Sequence, residues 1–492
     1  MQIILICFII TQWGPDTRMT FASGYSCNGL QRNGIAVGPS NRVHVCWWDD
    51  RTGNAEIYYK QSTDGGETWG ADIRLTDTTG TDYDPAIVCA GSKVHIIWRC
   101  GNRIFYLRST DAGQTWLPKT LLHSGGIMLQ SPCIAASGDT VYTAWVRAPG
   151  GFPPYQALLR RSLDGGVTWL DTIRVSPPGY DTCADCALVV DKGKRVHFFW
   201  TNSWFSVGPY WGLYTRKSTD FGATWSAPVE LETPSAITLK FSCAAGPDSN
   251  VLHYIVLGNS SGGTLYNLKY RRSSDGGASW NQYFFKAAGA SWTLWEFPEV
   301  AVDTSTGQVH LAWVWNATSS LKGEIMYNQS TDNGLNWGTD ERLTYDDSVS
   351  TRPSISCGSV HLIWSDTRDG NYEIYYKKKS TIGIEQTKTG MQQIENAHLE
   401  VYPNPFHGKT NIKYTMQDSR HLSTGQGFDL ALKIYDAGGR LVKQFGNITL
   451  HPVIPVVWHG DDDLGQKVPG GVYFIVACTE NRVFKRKVLL IR

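Results

Sequence analysis

Seven short apolar runs recur along the first 380 residues, and each has the length of a buried β-strand. Most of them carry a histidine at the second position and end in tryptophan. They are VHVCWW (43–48), VHIIW (94–98), VYTAW (141–145), VHFFW (196–200), LHYIV (252–256), VHLAW (309–313) and VHLIW (360–364). Runs with the 3.6-residue period of a helix are lacking, so the pattern predicts an all-β chain.

A polar octet of the form S-x-D-x-G-x-[TSN]-W follows each of the first six runs. The copies are STDGGETW (62–69), STDAGQTW (109–116), SLDGGVTW (162–169), STDFGATW (218–225), SSDGGASW (273–280) and STDNGLNW (330–337). Trp69 and Trp116 are 47 residues apart, and Trp280 and Trp337 are 57 apart. That spacing is about the length of a four-stranded propeller blade.

We interpret the octet as a structural turn. Its aspartate can accept hydrogen bonds from backbone N–H groups, the glycine two positions later can adopt a positive φ, and its tryptophan can fill the gap between neighbouring strands. We therefore assign structural roles to Asp64, Asp111, Asp164, Asp220, Asp275 and Asp332. The octet resembles the Asp box of the sialidase and bacterial neuraminidase repeat family, and this resemblance implies a β-propeller.

The chain has seven apolar runs but only six octets, and the N-terminal sequence explains the difference. The segment TQWGPDTRMT (11–20) closely matches TWGADIRLT (68–76), which is the end of the first octet with its fourth strand. The seventh unit (353–380) supplies only three strands. We therefore predict that strand 16–21 pairs with this unit and closes a seven-bladed ring over residues 12–380, which removes two open sheet edges. A six-bladed ring with an unpaired seventh unit is the alternative.

A second all-β domain is predicted at 399–492, after a polar linker at 381–398. Its segments YPNPF, IYDAGGRLV, WHGDDDLGQKVPGGVYF and KVLLI resemble the C-terminal sorting domain of type IX secretion substrates. They are also similar to the related immunoglobulin-like fold of flagellar hook-cap proteins. The resemblance implies a small β-sandwich and export across an outer membrane, with release or surface attachment. A structural sandwich without an address function is the alternative.

The loops that join second to third strands, and fourth to first strands, are expected at one face around the channel mouth. Several of these loops are rich in aromatic residues, which can stack on sugar rings or pack on each other to hold the loops. The predicted binding rim consists of Phe152, Tyr155, Trp204, Phe205, Tyr210, Trp211, Trp292 and Trp295.

Acid–base chemistry would need a pair of carboxylates at this face. The candidates there are Asp82, Asp84, Asp181, Asp185, Glu296, Glu299, Asp346 and Asp347, of which Glu299, Glu296 and Asp185 are retained as possible catalytic residues. Sialidases combine such residues with an R-I-P segment and further arginines. The chain has no R-I-P segment, and Arg51, Arg99, Arg147, Arg352 and Arg368 lie in no matching motif.

Histidine and cysteine give no metal prediction. One histidine per blade at a fixed strand position is interpreted as packing. Cys133, Cys186 and Cys243 are expected at the same early position of three consecutive inner strands, and Cys183 precedes Cys186 in a C-x-x-C motif. The four cysteines can be buried apolar residues, one disulfide or a zinc site. We predict no metal and no cofactor.

The net charge and the N-terminal sequence bear on the binding partner and on the location of the protein. A formal net charge of +1 and evenly spread charges exclude a nucleic-acid groove. Residues 1–11 are a possible signal segment. We predict a secreted or surface-attached monomer that binds an extracellular glycan or glycoprotein without catalysis and engages bacterial export machinery through its C-terminal domain. The alternative is a divergent sialidase or other glycoside hydrolase acting on extracellular glycans.

Overall fold

The computed structural model describes residues 10–28, 33–150, 155–204, 210–236, 240–259, 266–287, 298–315, 323–382, 397–416, 428–436, 441–450, 456–463, 465–479 and 482–491. The chain divides into two compact units. One is Gln12–Ser380, and the C-terminal part from Thr381 belongs to the other.

Two short strands precede the seven sheets of the first unit. These strands are β1 (Ile10–Trp13) and β2 (Thr17–Arg18). Sheet 1 contains β3 (Ser26–Cys27), β4 (Ile35–Val37), β5 (Val43–Asp49), β6 (Glu56–Ser62) and β7 (Ile73–Arg74), with a 3₁₀ turn at Pro39–Asn41. Sheet 2 contains β8 (Asp82–Ala90), β9 (Lys93–Cys100), β10 (Arg103–Ser109) and β11 (Thr120–Ser124). Sheet 3 contains β12 (Met128–Ser137), β13 (Thr140–Ala148), β14 (Gln156–Ser162) and β15 (Ile173–Arg174).

Four further sheets follow the same plan. Sheet 4 contains β16 (Cys183–Val190), β17 (Val196–Trp204), β18 (Tyr210–Ser218) and β19 (Val229–Ala236). Sheet 5 contains β20 (Lys240–Ala245), β21 (Leu252–Asn259), β22 (Tyr266–Ser273) and β23 (Asn281–Ala287). Sheet 6 contains β24 (Glu299–Val302), β25 (Val309–Trp315), β26 (Glu324–Ser330) and β27 (Glu341–Arg342). Sheet 7 contains β28 (Ser350–Ser356), β29 (Val360–Asp366) and β30 (Glu373–Ile382), joined by β1 and β2.

The innermost strands form a continuous circuit. Strands β4, β8, β12, β16, β20, β24 and β28 contact one another in this order, and β28 contacts β4. Neighbouring strands within each sheet are antiparallel, which matches short loops between consecutive strands. The described part of the first unit is therefore an all-β ring of sheets.

The N-terminal strand pairs with the seventh sheet, as the sequence predicts, although it is shorter than 16–21. Thr17 lies opposite Tyr376 and Arg18 opposite Tyr375. The buried carboxylate of Glu373 accepts hydrogen bonds from Thr20 Oγ1 and, at 2.9 Å, from Arg18 Nη2.

Two other sheets repeat this bond set around their own glutamate. Glu56 accepts from Arg74 at 3.0 Å and from Thr76, and Glu324 accepts from Arg342 and Thr344 at 2.6 Å each. The repetition explains why the N-terminal segment has the sequence of a fourth strand.

Aromatic rings fill the spaces between neighbouring sheets. The second-strand tryptophans Trp47, Trp98, Trp145, Trp200 and Trp364 are less than 2% exposed. At 150–250 Å² per aromatic side chain and about 25 cal/mol per Å², each burial contributes roughly 4–6 kcal/mol before entropy is counted. Four octet tryptophans pack edge-to-face on a tyrosine of the neighbouring sheet, as Trp116 does on Tyr59 of sheet 1 at 4.9 Å. Trp280 instead lies 4.9 Å from Tyr254 of its own sheet.

The second unit has two antiparallel sheets. One contains β31 (Ala397–Tyr402), β32 (Thr410–Met416) and β35 (Val456–Trp458), and the other contains β33 (Phe428–Asp436), β34 (Leu441–Leu450), β36 (Gly471–Thr479) and β37 (Arg482–Leu490). Leu399 and Trp458 of the first sheet share one buried core with Ile434 and Ile475 of the second. Among the described residues, a search for helices of membrane-spanning length and apolarity finds none.

Candidate functional site: the channel mouth

The octet aspartates hold turns together. Asp64 Oδ1 accepts hydrogen bonds from Ser62 Oγ at 2.7 Å and from Thr68 N at 2.9 Å. The hydrogen bonds from Thr68 are the largest cause that holds the pKa of Asp64 well below its usual range. The same serine-to-aspartate bond recurs at Asp111, Asp164, Asp220, Asp275 and Asp332. These carboxylates have their bonds inside the turn.

Five of the second-strand histidines bond to tyrosines of their own sheets. Nδ1 of His44 lies 2.6 Å from the hydroxyl of Tyr59, and burial lowers the pKa of His44 to about 4. A Cβ at Gly113, in the next octet, would overlap that hydroxyl. The equivalent pairs are His95–Tyr106, His253–Tyr270, His310–Tyr327 and His361–Tyr376. The geometry is that of packing residues, as expected from the sequence.

Polar residues occupy one shared position at the start of five inner strands. Each lies four residues before the residue that pairs with the second-strand histidine, or with Tyr142 in sheet 3. We call this set the mouth ring: Asp84, Ser131, Asp185, Lys240 and Arg352.

Backbone bulges position three members of the mouth ring. Asp84, Ser131 and Arg352 each have φ of 54° and each precede a proline, and the strand register shifts at all three. A bulge bends its strand and redirects a side chain, and such bulges concentrate near functional sites. The sequence signal is the x-Pro pair at the start of an inner strand.

Two of the three possible catalytic residues lie in the described part of the chain. Asp185 is 2% exposed and accepts a hydrogen bond from the N–H of Cys186 at 2.9 Å. Glu299 is also 2% exposed, two positions deeper in the register than the mouth ring, and accepts a bond from Ser242 Oγ at 3.4 Å. They lie on sheets 4 and 6, with sheet 5 between them in the circuit. Glu296 lies outside the described residues.

Other carboxylates of the predicted face form ion pairs. Asp84 pairs with Arg99 at 2.5 Å, Asp181 with Arg174 at 2.6 Å and Asp346 with Arg368 at 2.8 Å. Asp82 is fully buried, and this burial raises its pKa.

The arginines Arg51 and Arg368 occupy equivalent structural positions. Arg51 binds Asp49 at 2.5 Å and Arg368 binds Asp366 at 2.7 Å. Bonds to these aspartates outweigh desolvation and raise the pKa of both guanidinium groups. Arg147 donates to Gln156 at 3.3 Å.

Half of the predicted aromatic rim lies in the described part of the chain. Tyr155 is half-buried, and its backbone pairs with Thr182. The backbone of Trp204 pairs with that of Tyr210, and Ser203 with Trp211. Phe152, Phe205, Trp292 and Trp295 lie outside the described residues.

Sequence reasoning missed a second group of aromatic residues, which spans sheets 7, 1 and 2. We call it the mouth cluster: Tyr25, Trp48, Tyr83 and Tyr372, with Arg99 and Arg352. The signals are short: Tyr83 precedes an inner-strand Asp-Pro pair, and Tyr372 lies in a loop between second and third strands.

Contacts connect the mouth cluster from end to end. Arg352 lies 5.9 Å from the ring centre of Tyr372, which is 6.3 Å from that of Tyr25. Arg352 also donates to the sulfur of Cys27, whose backbone pairs with Trp48.

The other end of the cluster continues from Trp48. Its ring contacts Tyr83 edge-to-face at 5.0 Å, and Arg99 lies 5.2 Å over the ring of Tyr83. Tyr25 is 52% exposed, while Trp48, Tyr83 and Arg99 are half-buried. The cluster therefore offers aromatic faces and guanidinium groups beside the mouth ring.

A cavity of about 330 Å³ lies inside the circuit of inner strands. Aliphatic residues of all seven sheets line it, together with Cys89, Cys243 and Cys357. Cys243 is therefore in the cavity, whereas Cys133 and Cys186 are in the core between sheets 3 and 4. Cys133, Cys186 and Cys243 lie two, three and one residues before the inner-strand residue that pairs with the second-strand histidine, or with Tyr142 in sheet 3. The shared strand position expected from the sequence is therefore wrong. Metal-ligating groups of three or more side chains are not found among the described residues.

Comparisons with known proteins support the fold. No family model matches the chain, and no curated protein matches it. A polysaccharide lyase of the ulvan lyase family, bound to -[GlcA(1-4)Rha3S]-, aligns with a TM-score of 0.51 at 12% identity, over 75% of this chain and 96% of that one. The first unit of the chain folds as a β-propeller.

Two other solved structures align at lower scores. A sialidase of Trypanosoma rangeli with sialic acid has a TM-score of 0.43 and 11% identity, over 85% of each chain. A protein of unknown function from Dyadobacter fermentans has a TM-score of 0.43 and 14% identity, over 75% of this chain and 99% of that one. At these identities the propeller's likeness to known structures concerns the fold alone.

Proposed function

We propose that the protein is an exported or cell-surface propeller that binds an extracellular glycan or glycoprotein at its channel mouth without catalysing a reaction. The mouth cluster is the observation that carries this proposal. An exposed Tyr25, with half-buried rings beside it, provides flat apolar faces on which a sugar ring can stack. Arg99 and Arg352 add donors that suit hydroxyl or acidic groups of a glycan.

The state of the carboxylates favours binding over hydrolysis. A glycosidase needs two carboxyl groups about 5–10 Å apart that can reach one glycosidic bond. Asp84 is held by Arg99, and Asp185 and Glu299 are buried on sheets separated by a third. A divergent hydrolase is the second candidate, and Glu299 is the residue on which it would depend.

A glycan array probed with the purified full chain tests the binding proposal. The Tyr25→Ala and Tyr83→Ala variants should bind the best glycan at least about fivefold more weakly, a loss of about 1 kcal/mol. Phe221→Ala is the matched control, because Phe221 is 46% exposed in an octet turn at the other end of the sheets. Equal weakening by Phe221→Ala, or no glycan bound at all, would refute the proposal.

A panel of fluorogenic glycosides, including an α-sialoside, tests the second candidate. Turnover that disappears in Glu299→Gln would make the protein a hydrolase. We expect no turnover by either chain at any pH between 4 and 8.

The architecture that we propose is a closed seven-bladed Asp-box propeller followed by an immunoglobulin-like sorting domain. The circuit of inner strands and the pairing of β2 with β30 support the first part. The two-sheet core around Trp458 supports the second. Deleting 399–492 in a bacterium with type IX secretion should retain the protein in the periplasm, and normal export of the deleted chain would refute the sorting role.

A further inference from the structure

We propose that Cys133 and Cys186 form a disulfide that joins sheets 3 and 4 when the chain folds in an oxidising environment. The Sγ atoms of Cys133 and Cys186 lie 3.7 Å apart, across the boundary between β12 and β16. A disulfide needs about 2.05 Å, so the two sulfurs have less than 2 Å to close.

Cys183 is the competing partner and interacts electrostatically with Cys133, but its sulfur contacts a backbone oxygen rather than the Cys133 sulfur. Its Sγ faces the carbonyl oxygen of Asp185 at 3.8 Å. Sγ of Cys186, in contrast, lies 3.3 Å from the carbonyl oxygen of Ser131, which is two residues before Cys133 in β12. Cys243 lies on sheet 5 and lines the cavity. The geometry therefore selects one pair from the four cysteines.

Because both thiols are buried in the folded protein, the disulfide has to form before folding is complete. Cys133 is 7% exposed and Cys186 is fully buried, and burial raises the pKa of the Cys186 thiol well above its usual value. Because the thiolate is the reactive form, exchange in the folded protein is slow. The bond should form during folding.

The oxidant is a small-molecule disulfide such as oxidised glutathione. One cysteine thiol loses its proton and attacks the glutathione disulfide, which releases one glutathione thiolate and leaves a mixed disulfide. The second cysteine thiolate then attacks the mixed disulfide and releases a second glutathione. Two protein thiols become one disulfide, one oxidised glutathione becomes two reduced molecules, and the two protons pass to the released thiolates.

The disulfide would reinforce a boundary that polar side chains already bridge. Gln130 Nε2 and Ser131 Oγ both donate to the carbonyl of Ala184, at 3.0 and 3.3 Å. Ser131 belongs to the mouth ring, so the cross-link would fix the ring between sheets 3 and 4. The geometry is independent of the proposed function, and only the oxidising setting in the cell rests on the proposed export.

Peptide mapping of the full chain, refolded in a glutathione redox buffer and alkylated, tests the pairing. Cleavage before aspartate separates the candidates, because Cys133 falls in 111–138, Cys183 in 181–184 and Cys186 in 185–190. We expect 111–138 linked to 185–190. A link from 111–138 to 181–184, or unlinked peptides throughout, would overturn the proposal.

Thermal unfolding provides the second readout. The wild-type chain refolded with reductant should have a Tm on the order of 5 °C below that of the chain refolded in the redox buffer, because the bond closes a loop of about 50 residues. Cys133→Ser should already have the lower Tm and should not respond to reductant. Cys243→Ser is the matched control and should respond like wild type. A response of Cys133→Ser equal to that of wild type would also overturn the proposal.

Discussion

At the scale of single residues, the histidine of the second strand and the tyrosine of the third strand occur together. Five sheets have both, with Nδ1-to-hydroxyl distances of 2.5–2.7 Å. In sheet 3 the tyrosine position holds Leu159, and Tyr142 replaces the histidine. In sheet 4 it holds Thr215, and His197 bonds to Asp191 instead, at 3.0 Å. Each second-strand histidine therefore has a side-chain oxygen as its hydrogen-bond partner, either a tyrosine hydroxyl or the carboxylate of Asp191.

Removing one such hydroxyl should destabilise the propeller. Tyr59→Phe leaves the buried Nδ1 of His44 without its tyrosine partner, which should reduce the free energy of unfolding by about 1–3 kcal/mol in urea. Tyr345→Phe is the control, because Tyr345 is 72% exposed, and should change the free energy by less than about 0.5 kcal/mol. Equal effects of the two substitutions would contradict this account.

The same histidines predict a loss of stability in acid. Burial lowers the pKa to about 4 in His44, His95 and His310 and to about 3 in His253 and His361, from 6.5. Between pH 6.5 and about 4 the unfolded chain therefore binds protons that the folded chain does not. The stability is fully present above pH 6.5 and falls as the pH drops through this window.

Urea unfolding at pH 7.5, 6 and 5 measures this dependence. His310→Gln should reduce the change of the unfolding free energy with pH by about the contribution of one histidine, because one fewer histidine takes up a proton on unfolding. A stability that stays constant from pH 7.5 to pH 5 would exclude buried neutral histidines.

Hydrogen bonds between residues that are close in sequence could be predicted, whereas contacts between residues on different strands or sheets could not. The serine–aspartate turn of the octet follows from residues two positions apart, as in Ser62 and Asp64. The tyrosine bonded to each histidine is on another strand, although it stands three residues before the octet serine in most units. The mouth cluster was missed for the same reason, since Tyr25 and Tyr372 meet only after the ring of sheets is assembled.

At the scale of elements, β2 completes a sheet that three other strands begin. Deleting residues 1–21 would remove the Arg18 and Thr20 partners of the fully buried Glu373 and expose the edge of β30. We expect a loss of on the order of 3–5 kcal/mol and increased aggregation, measured by urea unfolding and light scattering. Deleting residues 1–9 keeps β1 and β2 and is the control. A chain without 1–21 that is as stable as this control would show that β2 is dispensable.

The pairing of β2 was predictable because the N-terminal segment repeats a pattern seen elsewhere in the chain. Asp16 corresponds to Asp72, and each binds an equivalent arginine at 2.7 Å. The bulges before Pro85, Pro132 and Pro353 were not predicted, because register depends on the pairing of whole strands.

At the scale of the whole molecule, the two units have separate cores. A chain ending at Ile382 should therefore keep the thermal transition of the first unit within about 2 °C and should bind glycan with unchanged affinity. Differential scanning calorimetry and the glycan array measure the two quantities. A shift of 5 °C or more would show that the second unit stabilises the first.

The joining of both ends of the first unit in sheet 7 also sets an order of events during synthesis. Arg18 and Glu373 are separated by 355 residues. At 5–20 residues per second, a ribosome needs roughly 20–70 s to make the segment between them. Throughout that time the earliest strand has no partner, so the last sheet can be completed only after translation has passed the seventh repeat. A circular permutant that begins at β3 and carries residues 10–22 after β30 would turn the slowest contact into a local one and should fold faster.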